Sequence, residues 1–206
     1  MRITRSTIGS LAVLMFCGTI ISASAQTANA KTQTSSGAPG APETYCTSTG
    51  GVVENRIPVY NTNGPISSWL KLAGTQEFCQ YTSSSDGSRI HLSLHTLYTT
   101  QPSLAALAYY SQTAWNGLGE GNPASLYCTQ LGGSDLFGGV NAAGGGWVTK
   151  HSFDQVLEAC IFPDNSTIDS WGLFYHSDDI IRGIDLSTVL KYSDPYPAGK
   201  AKSGKQ

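Results

Sequence analysis

Four cysteines set twice in the same surroundings constrain this chain more than any other feature of its 206 residues. Tyr45-Cys46 is followed after three residues by Gly50-Gly51, and Tyr127-Cys128 after three residues by Gly132-Gly133. Phe78-Cys79-Gln80-Tyr81 is answered in the same way by Ala159-Cys160-Ile161-Phe162. Four cysteines allow three pairings. The duplication selects one of them, Cys46 with Cys79 and Cys128 with Cys160, at separations of 33 and 32 residues. Loops of that size each gain roughly 3–4 kcal/mol from restriction of the unfolded chain. For half-domains of ~80 residues that is a large share of total stability. A metal site is the rival reading, but there is no C-x-x-C and the spacings suit no zinc pattern. The expected fold class is therefore α+β: two tandem similar small units, each a short helix plus antiparallel strands tied by one disulfide.

The disulfides need an oxidising compartment, and the first residues supply the route to one. Arg2 and Arg5 precede an apolar run, Ile8 to Ile21, that ends at Ala23-Ser24-Ala25. A positive start, a short apolar centre and small residues at the cut describe a secretory signal peptide, 1–25, cleaved before Gln26. The run is shorter than the ~20 apolar residues a membrane span needs, and no other stretch could cross a bilayer. Cys17 is discarded with the signal, because bulky Phe16 stands where a lipidation signal carries a small residue. The expected location is the periplasm.

The remaining chain divides into a flexible leader at 26–41, a first disulfide-tied unit at 42–116, a second at 117–192 and a flexible tail at 193–206. Pro42 opens a helical segment that ends at the first glycine pair. Val52-Val53, Ile57 to Tyr60, Gln76 to Thr82 and Arg89 to Leu94 read as strands, and the last alternates polar with apolar residues as a half-buried strand does. Pro102 to Trp115 reads as a helix that presents Leu104, Leu107, Ala108 and Trp115 on one face and joins the halves. In the second unit Asn122 is the N-cap, Pro123 the first helical residue and Gly132 the stop. Gly138 to Gly146 reads as a loop, Trp147 to Thr149 and Val156 to Phe162 as strands, and Asp169 as the cap of a short helix through Tyr175.

No stretch names a chemistry. A net charge of −2 gives no field for nucleic acid or an anionic membrane. His91 and His95 are spaced like ligands on a helix, but their neighbours alternate like a strand, so a surface or hydrogen-bonded role is expected. His151 and His176 are isolated. Asp164, Asp169, Asp178 and Asp179 lack the ordered spacing of a calcium loop and read as solvated turn carboxylates. There is no G-x-S-x-G elbow, no phosphate-cradling loop and no C-x-x-C-H for haem. A dispersed Ser-His-Asp triad leaves no sequence signature. Of Trp69, Trp115, Trp147, Trp171 and the ten tyrosines, most belong to the core and some to a contact surface.

Two resemblances bear on function. Asn122-Pro123-Ala124-Ser125, Tyr127-Cys128, Gly132-Gly133, Cys160-Ile161-Phe162-Pro163-Asp164, Ser166 and Trp171 resemble a family of short exported bacterial domains that carry a haemolysin label. That family's pattern has a shorter middle than the glycine-rich one here, and it brings no catalytic residue. The size, signal peptide, near-neutral charge and lack of cofactor motifs make the whole precursor similar to the small third subunits of the membrane-bound quinohaemoprotein alcohol dehydrogenases of acetic acid bacteria. That resemblance implies a non-catalytic accessory subunit with no cofactor of its own. Its partners would be a PQQ-bearing dehydrogenase subunit and a haem c cytochrome subunit, which oxidise ethanol and pass electrons to ubiquinone. The alternatives are a free-standing exported binding or inhibitor module, and a secreted hydrolase with a dispersed triad.

Overall fold

The computed structural model describes residues 40–135, 142–150 and 152–194. The expected signal peptide and leader up to residue 39, residues 136–141 of the glycine-rich middle, His151 and the residues beyond 194 lie outside the described residues. The fold is mixed helix and antiparallel sheet, with disulfides joining Cys46 to Cys79 and Cys128 to Cys160.

Helix α1, Ala41–Ser48, shows why each Tyr-Cys precedes two glycines. Its end is a Schellman cap: Gly50 adopts φ 89° and donates to the Thr47 carbonyl, while Gly51 donates to the Cys46 carbonyl at 2.9 Å. The first glycine supplies the left-handed turn. The second lies under the disulfide, where a Cβ would collide with Cys79 Sγ and stand 2.8 Å from Cys46 Sγ.

Strand β1, Val52–Tyr60, runs unbroken through Glu54, Asn55 and Arg56, which the sequence pattern leaves out. It is followed by β2 (Leu70–Lys71), β3 (Gln76–Thr82) and β4 (Arg89–Ser93). Leu94 leaves the sheet, because Ser93 caps a short helix α2, Leu94–Tyr98, by accepting from the Thr96 N–H. Helix α3 spans Leu104–Ser111 and ends where Gln112 turns left-handed, so Trp115 lies beyond it. Its expected face is reversed: Ala105, Ala106 and Tyr109 are buried, while Leu104 and Leu107 are exposed. The physical reason is close packing: alanines let the helix sit against the core, and the Tyr109 ring stacks on His176 at 3.8 Å.

The second half opens on α4, Pro123–Gln130, with Asn122 accepting from the Ala124 and Ser125 N–H groups. It closes as α1 does, with Gly132 at φ 84°, Gly133 donating to the Cys128 carbonyl, and Gly133 under the second disulfide. Tyr45 and Tyr127, beside the two helix cysteines, donate to the distant carbonyls of Val189 and Thr113. Strand β5, Gly145–Thr149, includes the two glycines expected to end the loop. It is followed by β6 (Ser152–Leu157), β7 (Ala159–Ile161), β8 (Thr167–Asp169) and helix α5 (Ser170–Ser177).

All these strands join one antiparallel sheet in the order β6-β5-β1-β3-β4-β8-β7, with β2 beside β1. Strands of the first half form its centre and strands of the second half flank them on both sides, since β1 pairs with β5 and β4 with β8. The ends of the order, β6 and β7, are consecutive in the chain and separated only by Glu158. The sheet therefore curls round on itself. Side chains alternate across it. Cys79, Tyr81, Ile90, Leu92 and Ile168 face the helices and form the main core. Phe78, Trp147, Leu157 and Ala159 form a smaller cluster. On β3, β4 and β8 the residues between the core positions, Gln80, His91 and Asp169, turn to the opposite side with Phe78.

Candidate functional site

Two residues apart on β1, Glu54 and Arg56 share one face of the strand. Arg56 is 1% exposed, so its charge must be answered inside the protein. Its Nε donates to Glu54 Oε2 at 2.8 Å, its Nη1 to the Trp147 carbonyl at 2.9 Å, and its Nη2 lies 3.1 Å from His91 Nε2. His91 projects from β4 between four polar partners. Its Nδ1 is 3.3 Å from Asp169 Oδ2, and its Nε2 is 3.0 Å from Gln80 Oε1 and 3.4 Å from Glu54 Oε2. Asp169 also caps α5, accepting from the Gly172 N–H at 2.9 Å. Burial on its own would raise the Glu54 carboxyl, but hydrogen bonds from His91 and Arg56 and the positive charge of Arg56 hold it below its usual value.

The hydrogen-bonded role expected of His91 and the capping role expected of Asp169 are met, while two expectations are corrected: β4 is not half-buried and Asp169 is not a solvated carboxylate. Strand β4 is covered on both faces, so His91 is buried and hydrogen-bonded, while His95 sits exposed on α2. Asp169 is buried as a helix cap. Asp164, at the surface, is committed too, accepting from the Leu104 N–H at 2.7 Å and from Ser166. Among the described residues no group of three or more His, Cys, Asp or Glu is arranged to hold a metal ion, and no helix is long and apolar enough to cross a membrane.

Beside the cluster lies a cavity of about 320 Å³, at the lower end of small-molecule sites. Arg56, His91 and Asp169 form its polar floor, and Val156, Leu157, Trp171 and Tyr175 its apolar walls. Arg89, Arg182 and Glu158 complete the lining. The Arg182 guanidinium lies 5.0 Å over the Tyr175 ring, and its Nε donates to the Arg89 carbonyl at 3.4 Å.

Glu158, the single residue between β6 and β7, accepts from Asn122 Nδ2 at 2.7 Å. Its carboxyl is raised, first by burial and then by the nearby charge of Asp135, against hydrogen bonds from Asn122 and Trp171. A carboxyl raised on folding stabilises the folded state below its unfolded value of 4.5, and that contribution is lost as pH rises through the folded value. Glu158→Gln removes the titration and one acceptor. The expected result is that wild type, measured against this variant by calorimetry, is relatively more stable at pH 4 than at pH 7. An unchanged difference between the two pH values contradicts the assignment.

Arg56, Glu54 and the His91–Asp169 contact are not read from the sequence. The available signal was parity: Glu54 with Arg56, and His91 in a strand of apolar neighbours, are polar residues at alternate positions of strands with buried flanks. Compared with known families, curated proteins and solved structures, the chain matches none of them.

Proposed function

We propose that this chain is a non-catalytic periplasmic binding protein, in the first place an accessory subunit that assembles with and stabilises a larger oxidoreductase. What carries the reading is the closure of the polar cluster. His91 and Asp169 are disposed as the base and orienting acid of a hydrolase would be, but His91 Nε2 faces Gln80, Arg56 and Glu54. A nucleophile's position is thus filled by groups that hold the ring in place. The cluster ties β1, β3, β4 and β8 together through Glu54, Arg56, Gln80, His91 and Asp169.

The scaffold is read as two copies of one disulfide-tied unit. Support comes from the matching Schellman caps and from the second glycine under each bridge. The turns agree as well: Asp86 accepts from the Ser88 N–H and Asp164 from the Ser166 N–H, each at 3.0 Å. In the assembly that the precursor resembles, PQQ and haem c belong to the dehydrogenase and cytochrome c subunits, and ethanol is oxidised there. This chain contributes surface. Ile66 and Leu70 are 59% and 58% exposed beside Trp69, a suitable anchor for a partner.

The test is purification of the native protein with identification of what co-migrates. A dehydrogenase bearing a cofactor in the same band supports the accessory role, and a lone monomer overturns it. Leu70→Glu with Ile66→Glu is expected to leave the unfolding temperature within about 4 °C of wild type, because surface changes stay within about 0.5 kcal/mol each. The same pair should reduce co-purification at least tenfold. The second reading, a free-standing binding module, is favoured by the cavity beneath Trp171.

A further inference from the structure

The cavity under α5 combines an aromatic wall with charged groups of both signs. Trp171 and Tyr175 stand one turn apart on the helix and so share a face, and their half-buried rings lie 5.8 Å apart at 31°. Around them the lining carries Arg89 and Arg182 as well as Glu158 and Asp169. A net anion would meet two carboxylates and a net cation two guanidiniums, so neither sign of ligand is favoured. Hydrogen-bonding capacity is left over nonetheless. Among the described residues Arg182 commits one of its five N–H donors, Nε, to the Arg89 carbonyl at 3.4 Å. Glu158 accepts from Asn122 Nδ2 at 2.7 Å and from Trp171, whereas a carboxylate has about four acceptor sites. A wholly apolar ligand would strip water from both groups and return nothing. A hydroxyl donates and accepts, so it answers a guanidinium and a carboxylate alike.

We infer that this cavity binds an uncharged sugar, with one face of a pyranose ring against Trp171 and its hydroxyls hydrogen-bonded to Glu158 and Arg182. A pyranose carries hydroxyls round its rim and C–H groups on its faces, and those C–H groups suit the electron-rich face of an aromatic ring. Val156 and Leu157 extend the apolar wall, and about 320 Å³ is room for a small sugar. The inference rests on the reading of the chain as a binding protein, but it does not require the oxidoreductase partner.

The experiment uses the full exported chain with both disulfides formed, and follows Trp fluorescence and calorimetric heats at pH 7. The probes are glucose, galactose and mannose, each with its uronate and its 2-amino sugar as charged counterparts. Cyclohexanol serves as a ring without the hydroxylated rim, and uridine as a planar ring that stacks and hydrogen-bonds. At least one neutral sugar is expected to bind with a dissociation constant of about 1 mM or tighter. Its affinity should exceed that of its charged counterparts, cyclohexanol and uridine at least tenfold. Trp171→Phe should remove the fluorescence response while leaving a weaker calorimetric heat, and Glu158→Gln should weaken binding several-fold. No binding of any of the three sugars overturns the inference, as does equal affinity for a charged counterpart or a full fluorescence response in a folded Trp171→Phe chain. Tighter binding of cyclohexanol or uridine also overturns it, but leaves the chain a binding protein with another class of ligand. The comparison of probes is made on wild type, so it stands even where a variant fails to fold. Failure to find a co-migrating oxidoreductase would leave these outcomes unaffected.

Discussion

Replacing Cys128 and Cys160 together with alanine is expected to lower the unfolding temperature by about 7–15 °C, and the Cys46 and Cys79 pair by a similar amount. The bridges close 33 and 32 residues at Cα–Cα distances of 5.8 and 5.5 Å, within the ordinary range for a disulfide. Chain-entropy arguments assign roughly 3–4 kcal/mol to loops of that length, and a domain of this size loses about 2–4 °C per kcal/mol. All four sulfurs are buried in one core with Tyr81, Leu92 and Ile168, so removal also leaves a void among aromatic and aliphatic neighbours. Removing both bridges should therefore cost more than twice the single effect. Gly51→Ala and Gly133→Ala act on the same structure without touching a cysteine, because the added methyl meets the bridging sulfurs and the helix carbonyls. Overpacking of this kind costs about 1–3 kcal/mol. Reductant should lower the wild-type melting temperature to near that of the four-alanine chain. A reductant-insensitive melt, or mapping of a bridge between Cys46 or Cys79 and Cys128 or Cys160, contradicts the scheme.

Features written over a few consecutive residues were legible in the sequence. Asn122, Pro123 and Gly132 marked the ends of α4, and Asp169 was recognised as the cap of α5, because caps are chemistry between neighbours along the chain. The cysteine partners followed from repetition. Strand β8 was missed because three residues carry no period, and its place is set by pairing of Ile168 with Leu92 far back in the chain. The face of α3 was misread because Leu outranks Ala in any hydrophobic pattern, although it is Ala105 and Ala106 that allow close approach. The Arg56 cluster was hidden for a deeper reason. Its members come from β1, β3, β4 and β8, and only the order of strands in the sheet makes them neighbours. A pattern of alternation can say that Arg56 and His91 each point to one side of a strand. It cannot say that the sides are the same.

That cluster carries the second large effect: Arg56→Met is expected to destabilise the fold by about 3–5 kcal/mol, the range for breaking a buried ion pair by removing one partner. Methionine fills similar volume, so the loss is electrostatic rather than steric. Without the guanidinium, Glu54 keeps only the His91 ring 3.4 Å away, and the Trp147 carbonyl loses its side-chain donor. Glu54→Gln with Arg56→Met removes both charges and should recover a substantial part of the loss, a recovery that a purely steric role for Arg56 would not give. The pH dependence fixes the sign. The Glu54 carboxyl is lowered on folding, so its contribution is present above the unfolded value of 4.5 and disappears as pH falls through the folded value. Wild type should therefore lose stability on acidification relative to the double variant, the opposite of the trend set by Glu158. Chemical denaturation of the four chains of this cycle at pH 7 and pH 3 measures both quantities. Equal destabilisation of the single and double variants would show that Arg56 acts by packing alone.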